Sequence, residues 1–298
     1  MILSLSLGYI LRGDLRLSSP PFTVCFSPQA YPLMTKSLLI AASALVLVSA
    51  NSPVALAQSP ANPPQRWGSW LIGTFLLPGS PENKWGGFAE VQARTDAVFA
   101  KYFYNELKGG VSYDLDKNFT AMIAGGRYAT SDYRALEDGP LNVEKRLWLQ
   151  LVLSQYLDRL KIEHRYRIEQ RWFDYRGDST GRRNRIRYRL NAFLPLNSKT
   201  IKDKTVFLSV YDEIFLNPKG PVFERNRVYG GVGYQFNKHL LLQVGWVNQS
   251  NYNLPAIQQG QFIPQITSAK NNVVVNVIYR IAHRSATSPT EHLPSQQD

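Results

Sequence analysis

The 298-residue chain contains one cysteine, three methionines and four histidines. A single cysteine leaves neither a disulfide framework nor a Cys-rich zinc site. With 20 glycines and 18 prolines the chain is neither collagen-like nor of low complexity, and 44% hydrophobic against 19% charged residues is a globular composition. Only one long apolar run is present and the mean hydropathy is −0.25, which excludes a polytopic helical membrane protein. A membrane barrel is not excluded, because barrel strands hide their apolar residues by alternation.

The apolar run, Leu38 to Ala50, follows Lys36 and precedes Ala55-Leu56-Ala57, a small-residue cleavage pattern. This is the layout of a secretory signal peptide over residues 34–57, with translation starting at Met34 and residues 1–33 a spurious upstream extension. The run is shorter than the roughly 18 apolar residues wanted for a spanning helix. Cleavage after Ala57 would remove Arg12, Arg16, Lys36, Asp14 and the only cysteine, Cys25, lowering the net charge of +12 by two. The exported chain would then carry no thiol. Residues 58–66 read as a linker, 67–282 as one domain and 283–298 as a polar periplasmic tail.

From Trp67 onward, segments of about a dozen residues alternate polar and apolar side chains, the period of a β-strand. In the clearest, Leu160, Ile162, His164, Tyr166, Ile168, Gln170 and Trp172 share one face and Lys161, Glu163, Arg165, Arg167, Glu169 and Arg171 the other. The next sets Ile186, Tyr188, Leu190, Ala192 and Leu194 against Arg183, Arg185, Arg187, Arg189 and Asn191. Before them, Leu147, Leu149, Leu151 and Leu153 oppose Arg146, Trp148, Gln150 and Ser154. The same template predicts strands over 67–77, 84–96, 102–115, 119–130, 144–157, 159–175, 183–196, 205–216, 225–236, 240–252 and 272–281, with no helix left over.

Tight connections at 114–118, 157–159, 197–203 and 237–238 alternate with longer ones at 131–143, 177–182, 217–224 and 253–271. Short turns at one end and long loops at the other describe an all-β antiparallel transmembrane barrel of the outer-membrane type, with about 10–12 strands. A soluble barrel would reverse the faces, but ten or more strands enclose a cavity that the apolar rows here are too small to fill. Facing lipid they fill nothing. Trp85, Tyr113, Tyr234, Phe236 and Tyr279 near the turn end, and Tyr128 and Trp172 near the loop end, are then the interfacial girdles. The tight turns give an even set of ten strands, which leaves 67–77 as an extra element that pairs at the seam, enters the lumen or belongs to a twelve-stranded barrel.

Several motifs carry a resemblance. They are the W-x-x-W-L opening (Trp67, Trp70-Leu71), the E-x-Q-x-R strand (Glu90, Gln92, Arg94), G-x-x-Y-x-L-x-K-x-F (Gly110 to Phe119), G-x-R-Y (Gly125, Arg127, Tyr128), the Arg-studded pair of strands and the final R-N-R (Arg225-Asn226-Arg227). Over Trp67 to about Arg280 the chain resembles the bacterial family catalogued as domain of unknown function 2490. The resemblance implies an outer-membrane barrel and brings no catalytic residue. The polar tail from His283 departs from the aromatic last residue usual for barrel assembly.

The residues with chemistry are the inward row. Arg146, Arg165, Arg167, Arg171, Arg183, Arg185, Arg187, Arg189, Arg225 and Arg227 are expected to line the lumen, together with Arg94, Lys108, Arg127, Lys161, Arg280 and fewer acids, Glu90, Asp96, Glu106, Glu163, Glu169 and Glu213. Three readings stay open: a wall of cross-strand ion pairs in a closed structural barrel, a passive pore whose surplus positive field favours small anionic solutes, or a site for one anionic ligand. Most of the charges on 183–189 are expected to lack an acidic partner. An outer-membrane lipid hydrolase would need a Ser/His pair with a group to orient the His. None of His164, His239, His283 and His292 is placed for it, so no enzyme, metal or cofactor is expected. The partners implied are outer-membrane lipid and the barrel-assembly machinery of a Gram-negative-type envelope. Nucleic acid is not among them, because the charge follows strand parity and forms no binding motif.

Overall fold

The computed structural model describes residues 66–219, 222–253, 256–258, 261–263 and 266–281. The segments read above as signal peptide, upstream extension and polar tail, and most of the one read as linker, lie outside these residues. Eleven long strands close into one barrel. They are β1 (Gly68–Leu77), β2 (Trp85–Ala97), β3 (Ala100–Asp114), β4 (Phe119–Ser131), β5 (Pro140–Leu157), β6 (Leu160–Tyr175), β7 (Ser179–Pro195), β8 (Thr205–Leu216), β9 (Phe223–Gln235), β10 (Leu240–Asn253) and β13 (Ile266–Arg280). Two three-residue strands, β11 (Ala256–Gln258) and β12 (Gln261–Ile263), form a hairpin in the connection from β10 to β13.

Neighbours from β2 to β10 pair in chain order and antiparallel, and β13 pairs antiparallel with β10. The closure differs. β1 lies antiparallel to β2 but parallel to β13, with Gly68 opposite Asn272 and Leu76 opposite Arg280. The segment left over by the even count is therefore the seam strand, and the total is odd. Because the seam is parallel, the chain enters the barrel at one rim and leaves it at the other.

The expected contrast in loop length is weaker than the sequence suggests. At the end expected to carry long loops, β2 and β3 are joined by Val98-Phe99 alone and β6 and β7 by Arg176–Asp178, while nine residues join β7 to β8 at the opposite end. The short Arg176–Asp178 turn uses Gly177 at φ 89° and Asp178 at φ 60°, so β7 begins at Ser179 rather than Arg183. Glycine takes that left-handed conformation without strain, and Asp tolerates it.

Strand alternation places the long apolar residues outside. Ile168 is 63% exposed and Leu149 61%, and Leu107, Ile123, Leu147, Val210, Val232 and Val244 are exposed with them on other strands. The core is inside the barrel and mixed. Toward the turn end, Phe193, Ile201, Phe207, Leu241 and Ile278 form one apolar cluster and Leu76, Phe88, Met122, Ala124 and Trp148 another. Above them sits a layer of charged and aromatic side chains.

Candidate functional site: the arginine layer of the lumen

Residues two apart on a strand point the same way, so the alternation of β6 and β7 delivers their arginines inward as two facing rows. The register sets Arg165 beside Arg189, Arg167 beside Arg187 and Arg171 beside Arg183. Like charges directly opposite repel, and carboxylates separate them. Glu213 of β8, 0% exposed, stands beside Arg189 and Arg227 in the ladder. It accepts from Arg165 (Nη2, 2.6 Å), Arg187 (Nε, 2.9 Å) and Arg189 (Nη2, 2.7 Å), with Arg227 at 3.8 Å. Glu169 accepts from Arg187 at 2.9 Å and Arg167 at 3.5 Å, with Arg185 at 3.8 Å. Nearer the rim, Glu144 takes Arg146 and Arg171, and Glu224 takes Arg185, with Arg171 3.7 Å away.

Aromatic faces supply the remaining partners. A guanidinium is planar and weakly hydrated and stacks well on a ring. Arg146 lies 3.7 Å from the centroid of Tyr128, Arg189 4.0 Å from Tyr211, Arg187 4.4 Å from Phe215 and Arg167 4.9 Å from Trp148. Trp70 of the seam strand is shared between Arg94 at 4.0 Å and Arg227 at 4.8 Å, joining the two sides of the lumen. Arg225 donates to the side-chain oxygen of Asn251 at 2.6 Å. A second ionic set on β2 and β3 is balanced: Lys108 bridges Glu90 (2.8 Å) and Glu106 (2.6 Å), and Arg94 lies 3.6 Å from Glu106.

The predicted lumen residues thus come together, with corrections. Arg185, Arg187 and Arg189, expected to lack acids, are ion-paired; of that row only Arg183 has no ion pair among the described residues, and it lies at the rim with its guanidinium 5.5 Å from the Phe173 ring. Glu213, expected in the lumen, is brought in by the pairing of β7 with β8, and the expectation missed two other acids: Glu144, on the β5 face that holds Arg146, and Glu224, which was read as a loop residue and belongs to β9. Arg127 is exposed on the outer face, while its neighbour Tyr128, expected in the girdle, is buried inside. The Gly125-Gly126 pair before them carries no polarity from which to read the parity of β4. Nor is a cavity left by the strand number: arginine, tryptophan and tyrosine from the inner rows reach far enough to fill an eleven-stranded ring, and Arg165, Arg167, Arg185, Arg187 and Arg189 are all at most 1% exposed. The stacking rings were the group overlooked, although Trp148 shares a strand face with Arg146, and Tyr211 and Phe215 share theirs with Glu213.

Of the histidines, His164 faces outward and its Nδ1 lies 2.8 Å from the Tyr188 hydroxyl, and His239 Nδ1 lies 2.9 Å from the Arg280 carbonyl at the turn end. His283 and His292 fall outside the described residues.

Residues 67–260 match the family described as Protein of unknown function (DUF2490). The chain belongs to this family. No curated protein and no solved structure matches it. For this family member, the closed barrel with its arginine layer is the feature from which a role is to be argued.

Proposed function

We propose that this member of the DUF2490 family is an exported outer-membrane β-barrel that acts as a structural or ligand-binding envelope protein, its lumen closed by its own side chains. One observation carries the reading: the polarity of the barrel is inverted, with charge inside and large aliphatic residues outside on strand after strand. In water that outer surface would be an apolar patch far larger than the few hundred Å² that soluble monomers tolerate. In a bilayer it is the required band, and strands of 10 to 18 residues match or exceed the roughly 9–11 needed to cross. Trp85, Phe236 and Tyr279, exposed at the turn end, and Trp172 at the other suit the two interfaces.

Closure of the lumen follows from the apolar clusters toward the turn end and the interlocked guanidinium and carboxylate groups above them. The test is reconstitution. The purified chain should insert into phosphatidylcholine vesicles, show heat-modifiable mobility and give no steady conductance in a planar bilayer. Monomeric solubility without detergent would reject the membrane reading. A second reading, an anion-favouring pore, keeps one observation in its favour: eight arginines share four carboxylates, so a positive surplus remains. Steady conductance that prefers chloride over potassium, more strongly in dilute salt, would replace the closed barrel with that pore.

A further inference from the structure

The outer wall carries a second arrangement of cations, independent of the lumen. Arg127 on β4 is directly opposite Lys145 on β5, Lys145 is opposite Trp172 on β6, and Trp172 is opposite Arg182 on β7. All four are exposed on the outer face. They form one straight row across four adjacent strands, about 14 Å long at roughly 4.8 Å per strand. Cations directly opposite each other, as Arg127 and Lys145 are, destabilise a sheet unless an anion lies between them. Among the described residues the one acid paired with the row is Asp174, 3.4 Å from Lys145, and both groups are more than half exposed. Arg182 donates to the Gln170 side chain at 3.2 Å, and no hydrogen bond or ion pair engages Arg127 among the described residues.

At its β7 end the row opens into a cleft of about 310 Å³ lined by Gln170, Arg182, Arg183, Asn184 and Lys219. On the turn side the next level is mixed, with Leu147 on β5, Gln170 on β6 and Asn184 on β7, and the level after it is wholly aliphatic, with Leu149, Ile168 and Ile186 side by side. The surface therefore offers cations and an aromatic ring at one level and an aliphatic wall two levels further toward the turn end. A free anion would use only the first. A molecule with a phosphorylated headgroup and acyl chains uses both.

We infer that the row Arg127, Lys145, Trp172 and Arg182, with its cleft, is a binding site for the phosphate-bearing headgroup of a membrane lipid, whose acyl chains lie along β5 to β7. Arginine and lysine engage phosphate oxygens by charge-assisted hydrogen bonds. Trp172, between the cations, sits where an amphipathic ring is favoured at a membrane interface. The inference rests on the membrane reading above and adds a lipid class and a position to it.

The test uses the full exported chain in phosphatidylcholine nanodiscs, with bisphosphorylated lipid A as the probe and retained lipid quantified after washing. Wild type should enrich lipid A over phosphatidylglycerol. The triple variant Arg127→Gln, Lys145→Gln and Arg182→Gln should lose at least tenfold of that enrichment. A control with the same change of charge at the turn end, Lys117→Gln, Lys199→Gln and Lys238→Gln, should keep it. Millimolar inorganic phosphate should compete only weakly. Equal loss in the two triple variants, absence of enrichment in the wild type, or full displacement by inorganic phosphate overturns the lipid site while insertion into the nanodisc leaves the membrane reading standing. Failure of the wild-type chain to insert into any bilayer overturns both, and heat-modifiable mobility of each variant shows that a loss of binding is not a loss of fold.

Discussion

Strands β6 and β7 and strands β9 and β10 line the same lumen with opposite materials. The first pair sends in long, charged side chains, from Arg165 to Arg171 and from Arg185 to Arg189. The second pair, in its half nearer the turn end, sends in little: Gly231, Gly233 and Gly245, with Gln243 and Val247 beside them. The bare backbone there is covered by two rings, one from the loop half of β9 itself and one from β8. The Tyr229 ring lies over Gly231 and Gly245 so closely that a Cβ at either would collide with it, and the Phe207 ring does the same at Gly233. Tyr229 in turn stacks on Tyr211 at 4.9 Å, and Tyr211 lies beneath Arg189. An eleven-stranded ring is filled by pairing side chains that reach with a wall that yields. Interiors are close-packed, so length on one side requires absence on the other.

The strongest way to break the first half of that comparison is to remove the charge on which four arginines converge. Glu213→Gln should destabilise the barrel by about 3–5 kcal/mol, because buried guanidinium groups lose their counter-charge, and urea titration of the folded fraction in vesicles measures it. On the outer wall, Leu149→Arg should cost roughly 2–4 kcal/mol in a bilayer near the midplane. The structure places Arg187 against both Glu169 and Glu213, so Arg187→Ala is expected to be as damaging as Leu149→Arg and not, as strand alternation alone suggests, much milder. The same titration ranks the two.

The yielding wall is tested by Gly233→Ala, whose added methyl group meets the Phe207 ring. Overpacking of this kind costs about 1–3 kcal/mol. Phe207→Leu in the same chain should recover part of it if the ring is the obstacle. Smallest of all is Lys145→Ala, which removes a pair with Asp174 at 3.4 Å between two largely exposed groups. Such pairs contribute under about 1 kcal/mol, so the unfolding midpoint should hardly move and the effect of this residue should appear only in lipid binding.

Much of the barrel was legible in the sequence wherever a strand carries charge on one face and aliphatics on the other. β5, β6 and β7 were read with the right faces, and the eleven long strands appear close to their expected positions. Legibility failed where glycine erased the alternation, as in β4, and at the rims, where β5, β7 and β13 begin four to six residues earlier than expected. It also failed for β1. Trp70, Ile72 and Leu76 face inward and Leu71, Phe75 and Leu77 outward, so a strand apolar on both faces gives no polarity to read. Its parallel pairing with β13 depends on residues some 200 positions away. The lumen arginines were found by parity alone. So were Glu169 and Glu213, whereas the stacking partners Phe215 and Trp70 were not, because they reach the arginines from other strands.

The parallel seam also fixes an order of events. Every other ladder joins strands adjacent in the chain, except that between β10 and β13, which encloses only a small hairpin. Each of these can form as soon as its two strands exist, since short loops close at little entropic cost. The ladder between β1 and β13 joins the first strand to the last, so it waits for the whole sheet. Until then the molecule is a curled ribbon with two unpaired edges, and β1 holds one of them while the remaining strands accumulate. Closure is then the step of highest contact order and sets the pace of folding. A slow final phase that ends the exposure of the two edges, and that is selectively slowed by weakening the register from Gly68–Asn272 to Leu76–Arg280, would be its kinetic signature.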